Sequence, residues 1–211
     1  MTRTAPCLIM VLEGPASPYG AKGVNAAKVE AVFEMEKRRR EADKMEALTT
    51  LVLGRLRGSV WHTTNSDRFR GILRSGAVLP EPDIKDADRW STSQGSTYYP
   101  YVRTLGGVSL FDFRDFDPEH YSDVYPISTW REFVPYRSAW REAVWIEIDI
   151  SQLGDAFISG PALLARWNVE RVGNRIMPEI EAAHVGPLPQ SAFKEVLLVR
   201  EGDHTLSRMN W

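Results

Sequence analysis

Apolar and polar side chains alternate most regularly over residues 144–150, where valine and isoleucine occupy every second position. A period of two places these apolar side chains on one face of a β-strand. Apolar runs predict further strands over residues 59–61, 108–113, 177–184 and 195–200. Residues 114–130 are rich in aromatic side chains, and we expect them to form irregular structure. Because the strands are interspersed with short helices and show no regular β-α-β alternation, the pattern predicts an α+β fold with a mixed β-sheet.

Helical spacing of apolar residues predicts a long helix from Asn25 to about Gly54. Its apolar stripe includes Val29, Val32, Phe33 and Leu48. We expect this stripe to pack on the rest of the chain as a helical appendage, which divides the chain into residues 1–57 and a main domain of residues 58–211. The basic run at residues 37–40 suggests a phosphate-binding patch, but the surrounding acidic residues favour a solvated helix face.

A second, shorter helix is predicted immediately after the strand that ends near residue 61. The apolar positions of its buried face are Phe69, Ile72 and Leu73. Asn65 or Ser66 can cap its start, and Gly76 can supply the left-handed residue that ends it. Shorter helices are predicted over residues 130–140 and 162–167.

Composition narrows the class of protein. The chain has 211 residues, of which 43% are hydrophobic and 26% charged, so it can build an ordinary core as one domain with an appendage. A net charge of −2 gives no overall basic field for nucleic-acid binding. The lone Cys7 excludes an internal disulfide and a cysteine metal cluster, and favours a reducing cytoplasm. The apolar run at residues 7–12 is too short to span a membrane, so we expect a buried N-terminal segment and no membrane partner.

Residues 59–80 combine a short strand, a polar group of side chains at His62, Thr63 and Thr64, and a helix closed by Gly76. The conservative interpretation is a histidine with satisfied hydrogen bonds in an ordinary strand-to-helix turn. The pattern also resembles the first motif of the ADP-ribosyltransferase fold, which includes DNA-targeting toxins, phage-defence members and RNA 2′-phosphotransferases. That resemblance implies that His62, Thr63 and Thr64 bind NAD.

A second motif lies near the C-terminus, where Glu179 and Glu181 precede a proline-containing turn and a last strand. Two residues apart in a strand, both side chains would point to one face. Two exposed carboxylates on an edge strand are the alternative. The stretch resembles the C-terminal motif of the same fold, and its Glu-x-Glu resembles the pair of arginine-directed members. The resemblance implies that Glu181 is catalytic and that Glu179 acts more on the acceptor.

The middle of the chain offers several candidates for the remaining NAD contacts. Ser109 and Phe111 lie on the predicted strand where many members of the fold bind the nicotinamide side. Ser91 and Ser93 belong to a long polar loop and match the Ser-Thr-Ser of the arginine-directed class. Arg89 and Arg103 are candidates for the NAD pyrophosphate.

The resemblance implies an NAD-dependent ADP-ribosyltransferase that transfers ADP-ribose to a nucleic acid or protein. We expect a bacterial or phage toxin or defence effector, with an antitoxin or immunity protein as a further partner. NAD would be the co-substrate, and no metal is expected, because the sequence has no Cys/His ligand spacing and no Gly-x-Gly-x-x-Gly fingerprint. The alternatives are an RNA 2′-phosphotransferase-like enzyme and a non-enzymatic module that binds nucleotide, nucleic acid or protein.

Overall fold

A seven-stranded sheet forms the centre of the fold in the computed structural model, which describes residues 26–92, 95–170 and 173–211. The strands are β1 Val60–Thr64, β2 Ala77–Val78, β3 Gly107–Asp112, β4 Glu142–Ile148, β5 Phe157–Ile158, β6 Glu181–Val185, β7 Leu188–Pro189, β8 Phe193–Arg200 and β9 Ser207–Arg208. The helices are α1 Ala26–Leu56, α2 Ser66–Ser75, α3 Tyr101–Thr104, α4 Pro118–Val124 and α5 Gly160–Glu170. Short 3₁₀ helices cover Asp86–Asp88, Ser96–Tyr98, Trp130–Glu132, Ile150–Gln152, Gly154–Ala156 and Gln190–Ala192. The predicted α+β class is confirmed. The apolar run at residues 7–12 lies outside the described residues.

The strand order in the main sheet is β5-β6-β3-β1-β4-β8-β9, and β2 pairs with β7 in a separate two-stranded sheet. Every strand pair in the described residues is antiparallel, so the sheet is not the mixed one expected from the sequence. β1 therefore lies in the interior of the sheet, with β3 on one side and β4 on the other.

The two faces of the sheet carry different cores. One face contributes Val144 and Ile146 of β4, and packs with Phe69 and Ile72 of α2. The side chains on the other face pack in an aromatic cluster, and the C-terminal part of α1 packs in the same cluster. Its largest buried side chains include Trp61, Trp130, Trp145 and Phe113. The alternation predicted for residues 144–150 is confirmed up to Ile148, after which the chain turns into a 3₁₀ helix.

The long N-terminal helix is confirmed as α1, but its packing differs from the prediction. The chain divides into two compact units between Glu41 and Ala42, inside this helix, and the domain boundary expected after residue 57 stays a prediction. In the first unit the residues predicted to make contacts are exposed, and 67% of the surface of Phe33 is accessible to solvent. In the second unit Leu48, Val52 and Leu56 are buried. The predicted apolar stripe is not continuous, because charged residues interrupt it between positions 34 and 46. Only the C-terminal part of the helix therefore forms an apolar face.

Two predictions between residues 114 and 140 are wrong. Residues 118–124, expected to be irregular, form α4, because Asp117 accepts hydrogen bonds from two N–H groups of its first turn and Pro118 starts the helix. Residues 130–140, expected to be helical, contain only the 3₁₀ helix Trp130–Glu132. Pro135 follows closely and cannot donate the backbone hydrogen bond that a continuing helix needs.

Candidate active site

The candidate site opens where two neighbouring strands stop pairing. β1 and β3 form only two residue pairs, Val60 with Asp112 and Trp61 with Phe111. At the next residue of β1, the bond to β3 comes from a side chain: Nδ1 of the His62 ring lies 3.0 Å from the Ser109 carbonyl oxygen. A carbonyl oxygen can only accept, so Nδ1 carries the hydrogen and donates it. His62 thus lies at the split between β1 and β3.

A cleft with a volume of about 630 Å³ extends from this split. That volume lies within the range of small-molecule and cofactor sites. Of the residues predicted to bind NAD, the cleft is lined by His62, Thr63, Thr64, Ser109 and Phe111 from the sheet, and by Arg89 and Arg103. Glu181 also lines it. The two motifs at opposite ends of the predicted domain therefore meet in one cavity.

Glu181 is the first residue of β6 and pairs with Phe111 of β3. Its side chain has no exposed surface. The Ser109 hydroxyl donates to Oε1 at 2.9 Å, and the Met177 backbone N–H donates to Oε2 at 2.9 Å. Burial raises the pKa of the Glu181 carboxyl to about 7, and the Met177 and Ser109 hydrogen bonds oppose that rise. The carboxylate is therefore held in a fixed orientation and titrates near neutrality.

Ser109 connects the other two groups of the site. Its carbonyl accepts from His62, and its hydroxyl donates to Glu181. Burial lowers the pKa of His62, which keeps the imidazole neutral at pH 7. With Nδ1–H donating to Ser109, Nε2 is left as a hydrogen-bond acceptor. The site therefore presents one acceptor nitrogen and one buried carboxylate, both positioned through Ser109.

Thr63 supplies a further polar group to the cleft. Its Oγ1 is buried and has no hydrogen-bond partner within the described part of the chain. Buried hydroxyl groups normally find a partner, so an unpaired one at the wall of a cleft is available for a polar ligand. Thr64 is buried at the end of the same strand.

Aromatic rings form part of the cleft wall beside Glu181. Phe111, the cross-strand neighbour of Glu181, contacts Phe133 edge to face at a centroid distance of 5.2 Å. Phe133 in turn contacts Trp90 at 5.3 Å. All three rings line the cleft. They give the cleft an apolar, aromatic wall suited to an aromatic ligand group.

The two loop arginines predicted to meet a pyrophosphate are already paired with acids. Glu81 bridges both, with contacts of 2.6 Å to Arg89 and 2.8 Å to Arg103. Arg103 also pairs with Asp86 at 3.0 Å and lies 4.1 Å above the Tyr99 ring. Their positive charges are therefore largely compensated within the loop.

The structure describes two of the three residues of the predicted Ser-Thr-Ser element. Thr92 lines the cleft and is buried, whereas Ser91 is not among the described residues that line it. Ser91 has a positive φ of 58°, and its buried hydroxyl has no hydrogen-bond partner among the described residues. Ser93 lies outside the described residues.

The expectation that Glu179 and Glu181 share one strand face is wrong. β6 begins only at Glu181, and Glu179 lies in the preceding turn with a left-handed φ of 61°. Glu179 lines a different, smaller cavity of about 140 Å³ together with Arg114 and Tyr125. Gly160 permits this turn, because a Cβ atom there would lie 1.6 Å from the Glu179 carbonyl oxygen. The turn therefore places the Glu179 side chain in the smaller cavity, before β6 begins at Glu181.

Sequence reasoning missed the wall formed by α2. Arg68, Gly71 and Arg74 all line the cleft, and Trp140 faces Arg68 with its ring centroid 5.3 Å from the guanidinium carbon. Burial lowers the pKa of Arg68. The available signal was a glycine in the interior of a ten-residue helix between two arginines, where helix propensity alone disfavours it.

Within the described residues, no group of three or more His, Cys, Asp or Glu side chains is arranged to hold a metal ion. No helix in the described ranges is long and apolar enough to cross a membrane. No protein-family model matches the chain, and a search of curated proteins finds no match either.

Proposed function

We propose that the protein is an NAD-dependent ADP-ribosyltransferase. The observation that carries this proposal is the buried Glu181 carboxylate, fixed by Ser109 and Met177 in the same cleft as His62. Breaking the nicotinamide–ribose bond builds positive charge on the ribose, as in glycoside hydrolysis. A fixed negative group in a site shielded from water stabilises such charge strongly. Glu181 meets both requirements when it is ionised.

The other cleft residues suit the remaining parts of NAD. Nε2 of His62 accepts a hydrogen bond from a ribose hydroxyl, and the unpaired Thr63 hydroxyl provides a second contact. The aromatic wall around Phe111 accommodates the nicotinamide ring beside Glu181. The neutral state of His62 supports this role, because a second positive charge would oppose the cation formed on the ribose.

In the proposed reaction the bond between the anomeric carbon and nicotinamide breaks, and nicotinamide leaves with the electron pair. The acceptor forms the new bond to the same carbon and loses its proton. The Glu181 carboxylate, with a pKa of about 7, is suited to take that proton. The acceptor is a nucleic acid or protein, as the resemblance implies, and a toxin or defence effector is the expected context.

Glu181→Gln tests this mechanism. The amide keeps the size of the side chain but removes the charge, so we expect nicotinamide release to fall by about 100-fold or more. NAD affinity, measured by the ligand-induced rise in melting temperature, should change much less. Nicotinamide release is measured with purified protein, and transfer is measured by mass spectrometry of lysate nucleic acid and protein.

Glu179→Gln is the matched control, because its carboxylate lies in the other cavity. We expect it to retain wild-type nicotinamide release. Full activity of the Glu181 variant would contradict the mechanism. A wild-type protein that NAD stabilises but that releases no nicotinamide would instead be a non-enzymatic binding module.

A further inference from the structure

The α2 wall of the cleft carries two arginines that form no ion pair within the described residues. Arg68 contacts the Trp140 ring and donates to the Asp88 carbonyl, but makes no ion pair with a carboxylate in the described residues. Arg74 is exposed and likewise forms no ion pair there. This contrasts with Arg89 and Arg103, whose charges Glu81 and Asp86 compensate.

Gly71 separates these two arginines and leaves a gap between them. It lies three residues after Arg68 and three before Arg74, and residues at this spacing are neighbours on a helix surface. A Cβ atom built on Gly71 would lie 3.9 Å from Nη2 of Arg74, so the Arg74 guanidinium extends back along the helix beside the glycine. The absence of a side chain at Gly71 therefore keeps this part of the cleft wall open.

Other features of the cleft do not account for this charge. The start of α2 is already occupied, because the Ser66 N–H donates to the Glu142 carboxylate at 2.7 Å. Asp67 lines the cleft but is paired with Arg70 at 3.0 Å. The remaining acidic groups of the lining are Asp83 and Glu181.

We infer that Arg68, Gly71 and Arg74 form a subsite for the diphosphate group of a nucleotide. A guanidinium group can donate two parallel hydrogen bonds to phosphate oxygens. The six residue steps from Arg68 to Arg74 span about 9 Å along the helix, and two long side chains can bridge this distance to contact one diphosphate. The assignment of that nucleotide as NAD rests on the proposed function. The subsite replaces Arg89 and Arg103 as the expected pyrophosphate contacts.

Substitutions at Gly71 and Arg68 give a sharp test of the subsite. Gly71→Glu places a carboxylate within pairing distance of both arginines. We expect inorganic diphosphate and ADP to bind Gly71→Glu and Arg68→Gln at least about tenfold more weakly than they bind the wild-type protein. Arg57→Gln is the control, because Arg57 is exposed and does not line the cleft.

Isothermal titration with inorganic diphosphate and ADP provides the measurement, and the melting temperature of each free variant checks its folding. If Gly71→Glu does not fold, Arg68→Gln carries the test alone. Wild-type affinity in Arg68→Gln, or no binding of diphosphate and ADP to the wild-type protein, would overturn the inference.

The same variants separate this inference from the proposed function. Diphosphate binding that depends on Arg68, without nicotinamide release from NAD, would leave the subsite standing and reject the transferase. Nicotinamide release with an unchanged KM for NAD in Arg68→Gln and Gly71→Glu would reject the subsite and leave the transferase standing.

Discussion

At the scale of single residues, two opposing effects determine the pKa of Glu181. Complete burial disfavours its charged form, whereas the donors from Ser109 and Met177 favour that form. The result is a carboxyl group with a pKa of about 7, where an ordinary glutamate would be fully ionised. A small change in its surroundings, such as a nearby positive charge on a ligand, is enough to ionise it.

This raised pKa predicts that the protein loses stability as the pH rises. The native state holds the Glu181 proton up to about pH 7, while the unfolded chain releases it near 4.5. The Glu181 contribution is therefore fully present below pH 4.5 and is lost as the pH rises through about 7, by about 3 kcal/mol. Urea unfolding of wild type and Glu181→Gln at a series of pH values measures the difference. An identical pH dependence in both proteins would contradict the assigned pKa.

At the scale of elements, α1 has two parts with different roles. In residues 42–56, Val52 and Leu56 are fully buried, and the Leu56 carbonyl accepts a hydrogen bond from the Trp61 indole at 2.8 Å. In residues 26–41, by contrast, the described apolar side chains Val29, Val32 and Phe33 are exposed. The part near the start of β1 therefore supports the strand that carries His62.

Leu56→Ala should destabilise the protein by about 2–5 kcal/mol, because it leaves a cavity beneath Trp61 in the core. Phe33→Ala should change the unfolding free energy of the sheet-containing unit by no more than about 0.5 kcal/mol, since its side chain is exposed. Chemical denaturation followed by tryptophan fluorescence compares the two variants. Equal destabilisation by both would show that the exposed half of the helix contributes to the core.

Elements with local signals were predictable from the sequence. The Asn65 side chain accepts from the Arg68 N–H and Gly76 adopts the left-handed conformation, as expected for the two ends of α2. The orientation of Glu179 was not predictable, because its left-handed turn packs closely on Gly160, which lies 19 residues earlier in the sequence. A two-residue spacing places side chains on one face only if both residues belong to the strand.

At the scale of the whole molecule, the candidate site depends on the topology of the sheet. His62, Ser109 and Glu181 come from β1, β3 and β6, which are neighbours in space but distant along the chain. Residue patterns suggested that His62 and Glu181 belong to one site, but the register of these strands could not be predicted from them. The role of Ser109 as the link between them follows only from the pairing of β3 with both neighbours.

The short ladder between β1 and β3 has a mechanical consequence. In the described residues, two ladder pairs and the adjacent backbone hydrogen bonds of Phe113 with Gly58 and Ser59 join β5-β6-β3 to β1-β4-β8-β9. A ligand that contacts both His62 and Glu181 adds a further connection between the halves of the sheet. We expect NAD bound to Glu181→Gln, in which turnover is slow, to reduce amide hydrogen exchange in β6 as well as in β1. Protection confined to α2 would contradict this. Opening of the cleft and separation of the two halves would then be the same motion, and ligand binding would restrain both.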